Sequence, residues 1–421
     1  MSATPTVQDE LSGFFRADPR YLQWPYEMFH RWQEGLGAVH WDDGPALVVT
    51  RYQDVKTVMS GSLPLGNDAY RYGKLADGTI AKLPLALHEP VMEILDFEGL
   101  FMSRNDGADH TRLRRIASRA FTSRRMSLLR DSIERHVDEL LDDLVDRGVG
   151  DYQTEFANLL PVRVITDLIG VPESDRQLIW GWSQAVAEFF SIDAGSVEKA
   201  ADAVAAFREY IESMIERIKR TGEGHELAKL LLGGHEKEVL SSDELVAMYL
   251  VLLFGGSETT TNLLGNGFLA LQRNPEQWNM LVQDPSLVRG AVEEMFRYDS
   301  PHQYLPRHVQ QDMEIAGVQL RKDDSLIIVH AAANRDETVF EEPDRFDITR
   351  SNAREHLSLA FGPHHCLGAA LARLEGDIVF TKLATRLPKI RITTDNVEYG
   401  GSAMLRAIRS MPVNVGAIAS S

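Results

Sequence analysis

Residues 356–375 read His356-Leu357-Ser358-Leu359-Ala360-Phe361-Gly362-Pro363-His364-His365-Cys366-Leu367-Gly368-Ala369-Ala370-Leu371-Ala372-Arg373-Leu374-Glu375. They hold the only cysteine of the chain, Cys366. A single thiol excludes an intramolecular disulfide and any zinc site built from several cysteines. Gly362 and Pro363 mark a tight loop, and a long final helix is predicted to begin at or just after Cys366. A sulfur there would face backbone N–H groups and the positive end of the helix dipole, which favours the ionised form that ligates metals. The same residues also suit a buried structural cysteine, the usual fate of a free thiol. A zinc site with His364 and His365 is a weaker option, because adjacent side chains rarely converge on one small ion.

Around this segment lies a chain of 421 residues with 44% hydrophobic and 25% charged positions, a composition that excludes disordered and collagen-like classes. Its 44 basic and 62 acidic residues leave a net charge of −18. A general nucleic-acid binder needs the opposite sign. The N-terminus reaches Asp9 and Glu10 without an apolar core, so it does not read as a targeting segment. The longest strongly apolar run, Leu245 to Phe254, is short of the roughly 20 residues that span a membrane. The expectation is a cytoplasmic protein with no membrane and no nucleic-acid partner.

Helical periodicity dominates from residue 109 to about 300. Helices are predicted over 132–147, 155–169, 174–190, 196–219, 276–283 and 286–298. Ser242-Asp243-Glu244 opens a long one reaching about 272. Strands are expected at 47–50, 313–318 and 326–329, with short ones near 390–416. Residues 61–107 read as a long folded loop that covers something apolar with Leu95, Phe97, Leu100 and Phe101. Helices and strands do not alternate as βαβ units, so a doubly wound fold is not expected.

Three further segments carry chemistry. Leu253-Phe254-Gly255-Gly256-Ser257-Glu258-Thr259-Thr260-Thr261-Asn262 lies within the long helix. Two glycines in a helix interior cost about 1 kcal/mol each relative to alanine. They remove bulk and permit local widening. A hydroxyl and a carboxyl beside such a notch would bind a small ligand and relay protons, and burial would raise the pKa of Glu258. The plainer alternative is a packing notch with Glu258 in solvent. Glu294 and Arg297, three apart, face each other on one helix, and as an exposed pair they would serve structure. His110 and Arg114, four apart, suit a carboxylate. From 104 to 130 the chain has eight arginines (104, 112, 114, 115, 119, 124, 125, 130) against Asp106 and Asp109. Such runs are ordinarily solvated faces, but this inversion of sign also suits an acidic partner.

Taken together these segments resemble the cytochrome P-450 family of heme-thiolate monooxygenases, in particular its soluble bacterial members, over nearly the whole chain from about residue 20. The family's Phe-Gly-x-Gly-x-His-x-Cys-x-Gly loop aligns without a gap on Leu359 to Gly368. Gly362, His364, Cys366 and Gly368 match, while Leu359 and Ala360 replace the family's Phe and Gly. Gly255-Gly256-Ser257-Glu258-Thr259-Thr260 resembles the oxygen-binding groove, with Glu258 as the acid and Thr259 as the alcohol. Glu294 and Arg297 match the Glu-x-x-Arg pair, and Arg345 falls in the segment that completes its network. His110, Arg114, Arg307 and His364 fall where the family binds heme propionates, with Phe361 and Gly362 in the cofactor loop.

The resemblance implies a mainly α fold with a minor β portion, and heme b between the long central helix and the cysteine-bearing helix. It implies a single domain over 1–421 whose first 20 residues form a loosely ordered tail. Cys366 is then the iron ligand, and dioxygen sits at Gly255 and Gly256. A small apolar substrate is hydroxylated in a pocket drawn from Phe97, Leu100, Phe101, Val251, Phe254, Leu305 and Met404, each of which suits the core equally well. The chain shows no flavin or iron–sulfur domain, so electrons are expected from a ferredoxin-type donor and its reductase, docked on the Arg112 to Arg125 surface. Peroxide-driven or oxidative coupling chemistry and a non-enzymatic heme sensor are the alternatives. A heme-free cysteine hydrolase explains neither the Gly-Gly-Ser-Glu-Thr helix nor the Glu294–Arg297 pair.

Overall fold

Ser242–Arg273 forms the longest helix among the described residues. The computed structural model describes residues 5–189, 194–222, 226–231 and 240–416. The helix starts at a capping box: the Ser241 side chain accepts from the Glu244 N–H, and the Glu244 side chain accepts from the Ser241 N–H. Its side chains are apolar around most of the circumference, which places it inside the protein rather than on its surface. It packs against Leu159–Ile169, Ala194–Thr221, Val288–Tyr298 and Ala369–Arg386. We call Ser242–Arg273 the central helix and Ala369–Arg386 the cysteine helix.

The minor β portion is a five-stranded sheet in the order Ala38–Trp41, Ala46–Val49, Ser325–Ile328, Leu305–Val309, Leu65–Gly66, together with smaller sheets. Ala46–Val49 runs parallel to Ser325–Ile328, with Val49 opposite Ile328. Leu305–Val309 runs antiparallel, with Arg307 opposite Leu326. The predicted strand over 313–318 is instead a hairpin. Met313–Ile315 pairs with Val318–Leu320, and Ala316 and Gly317 turn the chain at φ 51° and 75°.

Residues 5–20 are not a loose tail. Val7–Phe15 is a helix with its own capping box between Thr6 and Asp9. It drives Leu11 and Phe14 into the core, where the Phe14 ring meets Phe29 edge-on at 5.3 Å. Residues 1–4 lie outside the described residues. The long loop over 61–107 folds as predicted onto apolar surface, but it does so largely through helices, Lys74–Ile80 and His88–Glu98.

Candidate active site

The central helix and the cysteine helix touch where Gly267 leaves room for Phe380; a Cβ on Gly267 would lie 3.0 Å from that ring. Gly255 precedes this contact by roughly 18 Å of helix, and Cys366 precedes the start of the other helix. Each of the two leaves open space beside it. A Cβ on Gly255 would meet nothing within 4 Å, and Gly255 is exposed although Leu252, Leu253 and Ser257 beside it are buried. Cys366 is largely enclosed by protein yet keeps partial accessibility. The segment after Val288–Tyr298 bridges the central helix and the segment before Cys366. Asn262 Nδ2 donates to the Pro301 carbonyl at 3.3 Å, and Ser300 Oγ lies 2.8 Å from Ser358 Oγ.

The two adjacent glycines act differently. Helical structure continues through them without widening. Gly256 lets the helix Leu159–Ile169 approach, since a Cβ there would lie 2.7 Å from Ile165 Cδ1. Gly255 leaves its face of the helix open. Thr259 Oγ1 donates to the Gly255 carbonyl at 2.7 Å. Glu258 is largely buried, and its Oε1 accepts from Gln184 Nε2 on the helix Arg176–Phe189. Burial pushes the Glu258 carboxyl up to about 7, and the amide pulls against that shift.

In the cysteine loop, Ala360 and Gly362 both adopt left-handed backbone, at φ 57° and 73°. These are the first two of the three glycine positions of the gapless alignment. The Cys366 N–H donates to the Leu359 carbonyl at 2.8 Å. The cysteine helix begins at Ala369, and the Gly368 and Ala369 N–H groups turn toward the sulfur. Burial nevertheless pushes the Cys366 thiol up, against those N–H groups and the charges of Arg114 and Arg373. The expectation of an ionised sulfur therefore needs correction for the metal-free chain: the helix start alone does not outweigh burial, and a bound cation must supply the rest. Phe361 also departs from its expected place in the cofactor site. Its ring is 41% exposed, with Lys56 Nζ 5.0 Å from its centroid. Buried Leu359 takes the position beside the cysteine backbone.

The four basic residues expected at the heme carboxylates gather around the same loop. His110 stacks on His364 at 4.0 Å, and its buried Nε2 has no partner. Burial, His364 and Arg114 together hold the His110 imidazole down at about 4. Arg114 Nη2 donates to the His365 carbonyl at 2.7 Å. Arg307 is buried, donates to the Pro306 carbonyl, and has no carboxylate within ion-pair distance among the described residues. Burial lowers it to about 10, and Asp106 acts on it only at longer range. A buried guanidinium without a counter-ion is costly. Together with the orphaned imidazole nitrogen it fits the two carboxylates of a heme. Sequence reasoning missed Asp106 and Asn67, which fix His364 at 3.2 and 3.0 Å. Asp106 carried only the weak signal of an acid before a helix, and Asn67 carried none.

The Glu294–Arg297 pair is fully buried rather than exposed, with Arg297 Nε 2.7 Å from Glu294 Oε2. Its third member is Arg350, whose Nε lies 3.2 Å from Glu294 Oε1. Arg345 is a correction. Its side chain sits at the surface on Glu342 and Asp347, and only its carbonyl joins the network, accepting from Arg297 and Arg350. Arg297 also donates to the Asn334 carbonyl at 3.0 Å. The Asn334 side chain in turn accepts from the Leu357 N–H at 2.7 Å and donates to Ser358 at 2.7 Å. The pair thus anchors the start of the cysteine loop.

Among the predicted pocket residues, Leu100, Val251, Phe254 and Leu305 are partly exposed, whereas Phe97, Phe101 and Met404 are buried in the core. Much of the arginine cluster is engaged. Arg112 is bound to Glu244, Arg104 lies 3.3 Å from Glu98, and Arg130 lies 3.3 Å from Glu134. The side chain of Arg124 lies outside the described residues. Among the described residues no helix is long and apolar enough to cross a membrane.

Residues 182–286 and 277–387 match the family model described as Cytochrome P-450. The chain is 36% identical to the vitamin D(3) 25-hydroxylase of Pseudonocardia autotrophica over 99% of its own length and 98% of that protein. It is 35% identical to the 6-deoxyerythronolide B hydroxylase of Saccharopolyspora erythraea over 88% of this chain and 90% of the relative. The solved bacillaene polyketide synthase cytochrome P-450 PksS of Bacillus subtilis 168 superposes with a TM-score of 0.84 at 31% identity, covering 96% of this chain and 99% of that one. A lone, partly accessible sulfur ahead of the cysteine helix, basic residues suited to two carboxylates and relatives matched over most of their length converge: the chain belongs to the cytochrome P-450 family, whose members are monooxygenases with heme b.

Proposed function

We propose that this cytochrome P-450 hydroxylates a small apolar organic substrate, using dioxygen and two electrons from a cytoplasmic ferredoxin-type donor and its reductase. The observation that carries the reading is the open face of Gly255 on the central helix together with the partly accessible Cys366 ahead of the helix packed against it. Cys366 would hold the heme iron, and His110, Arg114, Arg307 and His364 would hold the heme carboxylates. When bound, thiolate-ligated heme supplies O–O bond cleavage.

The chain's own residues orient and supply protons. The Thr259 hydroxyl donates its proton to the Gly255 carbonyl, so its lone pairs are left to accept a hydrogen bond from a water beside the open face of Gly255. Glu258 titrates near neutrality and can both give and regain a proton at its carboxyl oxygens. Leu100, Val251, Phe254 and Leu305 offer apolar surface to a substrate. The names of the relatives, vitamin D(3) 25-hydroxylase and 6-deoxyerythronolide B hydroxylase, support an organic substrate without choosing one.

For the electron donor, the chain's −18 charge sets the arginine cluster apart as the place for an acidic protein. On this surface Arg115 is exposed and Arg125 part-exposed, so the docking falls there. Charge reversal at these two should slow reduction with a salt-sensitive loss; unchanged rates at low salt would remove this surface. The function itself is tested with the holoenzyme, a surrogate ferredoxin and reductase, apolar candidate substrates and isotopically labelled dioxygen. One labelled oxygen atom in the product is expected. Product formed only with added peroxide, or none from any compound, would overturn the reading.

A further inference from the structure

We infer that Gln184 is a positioning residue for Glu258, holding its carboxyl in place in both protonation states and tying proton delivery to the seating of the helix Arg176–Phe189 on the central helix. The inference rests on the proposed relay role of Glu258.

The geometry is a contact between two helices. Gln184 Nε2 donates to Glu258 Oε1, and this is the only hydrogen bond that the Glu258 side chain makes among the described residues. No charged group of the surrounding helices competes for it. Arg163 on Leu159–Ile169 is taken by Glu139, and Arg176 by Asp167 and Glu173. Arg208 on Ala194–Thr221 is taken by Asp243, Arg297 by Glu294, and Arg373 on the cysteine helix by Glu293. Among the described residues none of these acts on the titration of Glu258, whose causes are burial and the amide alone.

The identity of the partner matters chemically. A lysine or arginine would lock Glu258 as the carboxylate, because a nearby cation favours the charged form. An apolar side chain would leave a buried acid that keeps its proton. A carboxamide has both a donor and an acceptor. It donates from Nε2 to the carboxylate, and after rotation its oxygen accepts from the neutral acid. Glutamine is therefore the partner that keeps Glu258 placed whether or not it carries a proton. Because the donor belongs to another helix, any displacement of Arg176–Phe189 removes it and leaves the acid protonated.

The test follows the Glu258 proton in the holoenzyme. The infrared C=O stretch of the protonated acid, assigned by difference against Glu258→Gln, is titrated in the wild type, in Gln184→Leu and in Gln184→Lys. Losing the donor should carry the midpoint up by about one pH unit, and the cation should carry it down by at least as much. The pH at which electrons divert from product should move with it. Gln184→Met replaces the leucine variant should that one fail to fold. Identical midpoints in all forms would overturn the inference. Midpoints that move while Glu258→Gln leaves product per electron unchanged would uphold Gln184 as the positioning residue and overturn the relay reading instead.

Discussion

The N–H of Cys366 donates to the carbonyl of Leu359 at 2.8 Å, closing a loop that passes through two left-handed residues, Ala360 and Gly362. An L-residue in that conformation costs about 1 kcal/mol, and glycine costs almost nothing. Ala360→Gly should therefore stabilise the holoenzyme by about 1 kcal/mol in urea unfolding. Gly362→Ala should destabilise it by more, because its Cβ would lie 2.6 Å from the Met59 carbonyl oxygen.

Gly255 and Gly256 separate function from packing. Gly256→Ala forces a methyl against Ile165 and should cost about 1–3 kcal/mol of stability. Gly255→Ala meets no neighbour and gains helix propensity, so stability should hold or rise by up to about 1 kcal/mol. Its methyl would fill space beside the face proposed to hold dioxygen, so turnover should fall. Thermal unfolding and product assays on the two variants check the contrast.

Arg297 reaches the cysteine loop through Asn334. Arg297→Lys cannot satisfy the Glu294 carboxylate together with the carbonyls of Asn334, Pro343 and Arg345. Breaking a buried pair of this kind costs about 3–5 kcal/mol. The variant should unfold at lower denaturant and bind added heme poorly, measured by unfolding curves and heme titration.

The elements with strong local signals were legible in the sequence. Ser242-Asp243-Glu244 marked the start of the central helix, and the Cys366 loop could be aligned residue by residue. What sequence could not separate were alternatives that differ only in three dimensions. Arg345 and Arg350 lie five residues apart in one irregular segment, and only the fold turns Arg350 toward Glu294. Leu359 and Phe361 flank the left-handed Ala360, and only that turn of the backbone decides which of them is buried. Gln184 gave no signal at all, because its partner lies on another helix. The N-terminal helix was overlooked despite the Thr6–Asp9 capping box, since nothing local reveals that Phe14 meets Phe29 and Trp32.

Glu293 sets an acid limit. Burial raises its carboxyl, but His356 and Arg373 overcome that and hold it at about 2, against an ordinary 4.5. A depressed carboxyl stabilises the fold above its ordinary value and loses that contribution as pH falls toward the depressed one. The contribution, about 3 kcal/mol at most, is therefore full above 4.5 and fades toward 2. Glu293→Gln should lower the urea midpoint at neutral pH and flatten its fall in acid, seen in unfolding curves across that range.

The central claim is a bond between Cys366 and heme iron, and the optical spectrum of the reduced, carbon monoxide-bound holoenzyme tests it most directly. A strongly red-shifted Soret band that disappears in Cys366→Ser is the predicted result. A Soret band without that shift, or one unchanged by the serine substitution, would contradict it.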